Sequence, residues 1–263
     1  MSKSADAFEA AGRPLLVGYL PAGFPTVAGG IDALRAMVDA GVDLVEVGFP
    51  YSDPVMDGPT VQAAAEIALA GGAKTRDVLA TVEAVAATGV PTVVMTYWNP
   101  VLRRGVETFA ADLASAGGAG LITPDLIPDE AEEWLAASDK HDLDRVFLVS
   151  PSSTEPRIAA AAAASRGFLY ATSVMGVTGV RESTSARAPE LVARVRAVSD
   201  VRVGVGLGVK NGAQAAEVAG FADAVIVGSA FVRQLLDAPD LPSGVAAAAK
   251  LAGELAAGVR SAR

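Results

Sequence analysis

A closed (β/α)8 barrel is the fold this sequence predicts, as one domain spanning residues 1–263. Short apolar, β-rich runs recur at Leu15–Leu20, Leu44–Phe49, Thr92–Tyr97, Gly120–Asp125, Arg145–Ser150, Phe168–Ser173, Val201–Gly206 and Ala224–Gly228. Segments with helical spacing separate them, among them Ile31–Asp39, Thr75–Ala87, Val106–Ala116, Glu130–Ser138, Ala186–Val198 and Ala213–Ala219. Strands alternating with helices imply right-handed βαβ units and a parallel sheet. Eight such units in a chain of this length fit a closed barrel better than an open doubly wound sheet. No linker, charge block or low-complexity stretch marks a domain boundary.

Taken in order, Met1–Ala10 is polar and acidic, with no apolar signal core, and an extra helical segment is expected ahead of the first strand. Ile31–Asp39 links the first two strands. The connection from Phe49 to Thr92 then holds 42 residues, whereas the others hold 17 to 27. Its extra length opens with the Pro- and Asp-rich stretch Tyr51–Pro59, directly after the strand, where barrel enzymes build their sites. Thr75–Ala87, Val106–Ala116 and Glu130–Ser138 lead into strands three, four and five. The long connection after strand six opens with Val174-Met-Gly-Val-Thr-Gly179, the expected lid. Ala186–Val198 and Ala213–Ala219 precede the last two strands. The Ala-rich tract Gly244–Val259 carries Lys250 and Glu254, which suits an amphipathic terminal helix rather than a membrane span.

Composition narrows the function. Hydrophobic residues make up 51% and aromatics 5%, a composition rich in helix and parallel sheet and not a disordered one. A formal charge of −9 repels nucleic-acid phosphates and anionic lipid, so neither nucleic acid nor membrane is an expected partner. An anionic substrate would need local dipoles or a local Lys or Arg. The absence of cysteine excludes disulfides, thiolate nucleophiles and cysteine metal sites. A soluble cytoplasmic protein is the expectation.

Glu46 interrupts an otherwise apolar strand. A buried carboxylate is expensive unless it has a partner or does chemistry. Val45 and Val47 share a face suited to the helix layer, which turns Glu46 into the barrel near the strand's C-terminal end. The alternative is a structural Glu bonded to a neighbouring hydroxyl or backbone group. Asp53 and Asp57 follow on one loop. Asp53, before Pro54, reads as a turn residue. Asp57, before Gly58-Pro59, either caps the helix beginning near Thr60 or reaches into the site.

Two glycine turns form a second constellation, Gly204-Val-Gly-Leu-Gly208 after strand seven and Gly228-Ser229 after strand eight, each opening a helix. Close-approaching N–H groups and helix N-termini at these positions suit a phosphate. The single histidine, His141, precedes strand five and belongs to the opposite face, and Lys3, Lys74, Lys140, Lys210 and Lys250 all lie outside strands. A zinc-dependent aldolase normally needs several histidines, and a Schiff-base aldolase needs a lysine inside the barrel. Lys210 either attracts phosphate or faces solvent. Carboxylate acid–base work on a phosphorylated substrate remains.

Over nearly its whole length the chain resembles the α subunit family of tryptophan synthase. The resemblance rests on Glu46-Val-Gly-Phe-Pro-Tyr-Ser-Asp-Pro-Val-Met-Asp-Gly-Pro59 with Gln62, on Asn99-Pro100, Pro124-Asp125-Leu126 and Gly176-Val-Thr-Gly179, and on the Gly206-Leu-Gly208 and Gly228-Ser229 turns. It implies a TIM-barrel lyase that cleaves indole-3-glycerol phosphate to indole and glyceraldehyde 3-phosphate. It also implies a partner, the β subunit, in an α2β2 heterotetramer, with pyridoxal phosphate held by that partner and no cofactor in this chain. Position by position, Glu46 and Asp57 match the catalytic acids. Tyr19, Tyr170, Thr178, Leu207 and Ile226 fall at substrate-pocket positions, with Thr178 the lid threonine, while Gly179, Gly208, Gly228 and Ser229 fall at phosphate positions. Other readings are a free-standing lyase on the same substrate, a mainly regulatory subunit, and an isomerase using two carboxylates on another phosphate ester.

Overall fold

The computed structural model describes residues 2–172, 187–206 and 208–262. Among these, nine strand segments form one parallel sheet: β1 (Leu15–Pro21), β2 (Leu44–Gly48), β3 (Thr92–Met95), β4 (Gly120–Ile122), β5 (Asp144–Val146), β6 (Leu148–Val149), β7 (Leu169–Thr172), β8 (Val203–Gly206) and β9 (Ala224–Val227). Their order in the sheet is β5-β4-β3-β2-β1-β9-β8-β7-β6. The two ends of that order, β5 and β6, are successive pieces of one strand separated only by Phe147. β5 pairs with β4 and β6 pairs with β7, so this strand changes partners at Phe147 and joins the two edges. The barrel therefore has eight strand positions, with the fifth, expected at Arg145–Ser150, delivered in two pieces.

Helices cover the outside: α1 (Lys3–Ala11), α2 (Val27–Asp39), α3 (Pro59–Ala70), α4 (Thr75–Ala86), α5 (Trp98–Arg104), α6 (Val106–Ser115), α7 (Glu132–Lys140), α8 (Glu155–Ala164), α9 (Arg187–Arg196), α10 (Gly212–Ala219), α11 (Ser229–Leu236) and α12 (Leu241–Ser261). Two of them stand beyond the segments singled out in the sequence, and both carry a proline. Pro156 occupies the first turn of α8 and Pro100 the first turn of α5, where a missing N–H breaks no helical bond. The third strand correspondingly ends at Met95, and Tyr97 becomes the N-cap of α5 rather than a strand residue.

Alternation along the strands sorts the core into two clusters. Val45, Val47 and Val94 face the helix layer, whereas Leu15, Val17, Leu44, Val93, Ile122, Phe168, Ala224 and Ile226 fill the barrel interior. Glu46 shares the parity of Leu44 and so points inward, one layer nearer the C-terminal end.

The extra N-terminal helix closes the other end. Ser2 caps α1 by accepting the Ala5 N–H at 3.0 Å, and Gly12 ends it in the left-handed conformation at φ 59°. Phe8 enters the interior cluster edge-to-face with Phe168, ring centroids 6.1 Å apart. The Ser4 N–H bonds the buried Asp144 carboxylate at 3.0 Å, and Lys3 Nζ reaches the Gly117 carbonyl at 2.9 Å. His141 lies on this side as well, 2.8 Å from Glu107.

Because Phe8 is both an α1 side chain and a floor of the barrel interior, Phe8→Ala should lower unfolding free energy by roughly 2–4 kcal/mol, read from urea melts. A loss below about 0.5 kcal/mol, the range of an ordinary surface substitution, would mean that α1 is not seated on the barrel.

Candidate active site

Glu46 sits on β2 opposite Tyr19 of β1 and Val93 of β3 in the parallel register. It is 2% exposed, and its Oε2 has no hydrogen-bond partner among the described residues. Burial raises its pKa from 4.5 to about 8, and the negative charge of Asp57 adds to the rise. A carboxyl held protonated near neutrality can act as a general acid.

Asp57 arrives from the long loop after β2. The helix behind it begins at Pro59 with Gly58 at the N-cap and no capping side chain, so Asp57 does not cap α3. It is buried instead, with the Tyr97 hydroxyl 3.4 Å from its Oδ1 and Gln62 Nε2 donating to its backbone carbonyl at 2.8 Å. Burial raises the Asp57 pKa, while the hydrogen bond from Tyr97 opposes that rise. Asp53 lies on the exposed part of the same loop, bonded by the neighbouring Ser52 hydroxyl at 2.5 Å, as a turn residue would be.

Two tyrosines complete the interior wall, and each depends on a glycine. A Cβ on Gly48 would lie 2.4 Å from the Tyr19 hydroxyl, and one on Gly206 would lie 2.3 Å from the Tyr170 hydroxyl. Only glycine leaves room for the phenols. Burial raises both tyrosine pKa values, Tyr19 further through Asp57 and then Glu46, Tyr170 through Glu46. Both therefore stay neutral. Ile226, 4% exposed, pairs with Val17 across β1–β9, inside the barrel, and adds an apolar wall.

At the glycine turns the structure separates two helix N-termini. Asn211 already caps α10 through the Gln214 N–H, and the Lys210 N–H is bonded to the Gln214 side chain at 2.8 Å. α11 differs: Gly228 is its N-cap, no described side chain caps it, and Ser229 is its first residue. Gly208 adopts φ 67° in the neighbouring turn. The dipole of α11 is thus the one left for an anion. Thr178, Gly179 and Leu207 lie outside the described residues, as does the expected lid opening at Val174.

Tyr97 and Gln62 are the site neighbours to which the residue-by-residue reading assigned no role. Tyr97 follows the C-terminal end of a barrel strand, the position from which barrel sites are built, and that was its available signal.

The model of the tryptophan synthase alpha chain family matches residues 6–260. A tryptophan synthase alpha chain from Salinispora arenicola is 65% identical, with 97% of this chain and 96% of that protein covered. One from Mycobacterium tuberculosis is 60% identical over 97% of this chain and 92% of its own length. A structure of Mycobacterium tuberculosis tryptophan synthase superposes with a TM-score of 0.91 at 60% identity, covering 98% of each chain. A mutant tryptophan synthase alpha subunit from Pyrococcus furiosus keeps a TM-score of 0.84 at 29% identity, over 92% of this chain and 97% of that one. A closed β/α barrel with two buried acids at its C-terminal mouth, matched along almost its entire length, places the chain in the tryptophan synthase alpha chain family.

Proposed function

We propose that Glu46 and Asp57 carry out the retro-aldol cleavage of indole-3-glycerol phosphate to indole and glyceraldehyde 3-phosphate. Family membership makes the chain a lyase subunit of tryptophan biosynthesis. The observation that carries the mechanism is a carboxyl buried inside the barrel, with one oxygen unpartnered, beside a second acid. Protonated Glu46 delivers its proton to C3 of the indole ring, and the ring becomes an iminium-like electron sink. The bond between C3 and the glycerol carbon then breaks, its electrons returning to the ring. The hydroxyl on that carbon gives its proton to the Glu46 carboxylate as the aldehyde forms, which restores the acid. Asp57 stays ionised near the ring N–H and balances the positive charge. Burial raises both acids, Glu46 to about 8, while the Tyr97 bond opposes the rise at Asp57 and favours its ionised form, which suits this division of labour.

Tyr19, Tyr170 and Ile226 support an aromatic substrate, and Gly208, Gly228 and Ser229 with the free end of α11 support its phosphate. Thr178, Gly179 and Leu207 join these sets by the family's pattern. We assign the next step, on the released indole, to a β subunit in an α2β2 assembly, with pyridoxal phosphate on that partner and none on this chain. Exposed apolar side chains at the site's mouth support such a contact: Val55 (70% exposed), Leu102 and Ile127 each follow a strand's C-terminal end. Among the described residues no helix is long and apolar enough to cross a membrane; a cytoplasmic enzyme fits the biosynthetic role.

Glu46→Gln should cut indole release at least about 100-fold with KM changed less than about threefold; turnover above a tenth of the parent's would remove Glu46 from the chemistry. Burial also makes the parent's stability pH-dependent. Near pH 4.5 the folded and unfolded chains both hold much of the proton, between 4.5 and about 8 mainly the folded chain does, and above about 8 the full penalty of a buried charge remains. Stability contributed by Glu46 therefore falls as pH rises across that window. Glu46→Gln should be more stable than the parent by roughly 1–3 kcal/mol at about pH 8.5, and the gap should shrink towards pH 4.5; equal melts at the higher pH would mean that the carboxylate is solvated. Ser229→Glu, which places a negative charge at the free end of α11, should raise KM at least about 10-fold. An unchanged KM would move the phosphate elsewhere.

A further inference from the structure

We propose that Tyr97 is a positioning residue that holds Asp57 in place through its hydroxyl. The proposal deepens the catalytic reading and rests on it. The β2 loop carrying Asp57 begins on one barrel strand, and Tyr97 belongs to the connection after the next, so a bond between them joins two independent excursions of the chain. That bond has a defined polarity. The Met56 N–H donates to the Tyr97 hydroxyl oxygen at 3.0 Å. A backbone N–H can only donate, so the phenol accepts there and its own proton is directed at Asp57 Oδ1, 3.4 Å away. One hydroxyl therefore grips the backbone just before Asp57 and the carboxylate itself. Gln62, on α3, holds the Asp57 carbonyl from the other side at 2.8 Å.

The ring is fixed for this task. Tyr97 is 4% exposed and packs against Tyr51 at a centroid distance of 5.2 Å, and the Tyr51 hydroxyl in turn accepts Asn99 Nδ2 at 3.0 Å. Its backbone is extended because it is the N-cap of α5, which aims the side chain away from the helix and across to the loop. Burial lifts the phenol's pKa to about 12, so it remains a donor at every working pH. The titratable groups that share this space are Glu46 and Tyr19 from the barrel wall, with Tyr170 beyond Glu46. The negative charge of Asp57 adds to the rise of the Glu46 pKa, so an ionised Asp57 helps Glu46 keep its proton. Tyr97 favours the ionised form, and it does so without touching the acid that moves the proton.

A purely structural tyrosine would lose packing when truncated, but its hydroxyl would be dispensable. Tyr97→Phe separates the two roles because it keeps the ring. In the full-length chain turning over indole-3-glycerol phosphate, Tyr97→Phe should lower kcat about 10-fold and leave KM within about threefold. The acidic limb of the kcat profile should move up by about one pH unit and the alkaline limb, set by Glu46, should stay. In an Asp57→Asn background the same change should cost less than about twofold, because the hydroxyl acts through the carboxylate. Carboxyl carbon NMR of Asp57, which needs no turnover, should show its titration moved up by a similar amount in Tyr97→Phe. An unmoved Asp57 titration, or an equal kcat loss with and without Asp57, overturns the proposal. Asp57→Asn at parental turnover would instead sink the catalytic reading beneath it, and the NMR shift would report on the hydrogen bond alone.

Discussion

The desolvation of Glu46 is the constraint on which the site depends. A carboxylate inside a barrel filled by Leu44, Val17, Val93 and Ile226 is withdrawn from bulk solvent, and its Oε2 has no partner among the described residues. The fold resolves the conflict by keeping the proton on the acid, and that proton is what the proposed cleavage needs first. The surrounding wall agrees with this arrangement: Tyr19 and Tyr170, both neutral, stand over Gly48 and Gly206, which leave space for them and add no competing charge. Stability is surrendered at one strand position, and under the proposed cleavage that cost supplies the acid the reaction needs.

Asp57 is the counterpart, and its environment is built differently. It reaches the barrel from a loop, and its position relies on contacts from outside its own strand: the Tyr97 hydroxyl, the Met56 N–H bonded to that hydroxyl, and the Gln62 amide. The rigid acid belongs to the sheet and the adjustable one to a loop. The exposed Val55 lies on the same loop, so a partner docking at this mouth would touch the element that carries the second acid.

Much of this was legible in the sequence. Strand parity placed Glu46 inside, because two β-branched neighbours needed the helix layer, and the clusters around Val45 and Leu44 have that division. The barrel followed from the alternation of strands and helices. What was not legible came from tertiary contact. The third strand stops at Met95 because the chain turns into α5, whose N-terminal Trp98 N–H is met by Asp125 at 2.8 Å, a residue 27 positions away. Asp57 could have been a helix cap on local grounds, and only the placement of Gly58 at that cap frees it. The two glycine turns looked equivalent as text; Asn211 occupies one helix end and leaves the other for an anion.

The central claim is that burial in the barrel keeps the proton on Glu46 near neutrality. Carboxyl carbon NMR on the full chain, with Glu46 assigned by its Gln variant, reads this directly as chemical shift against pH. The account predicts that Glu46 titrates near 8, well above the ordinary glutamate value of 4.5. Titration of Glu46 near the ordinary value of 4.5 would contradict it.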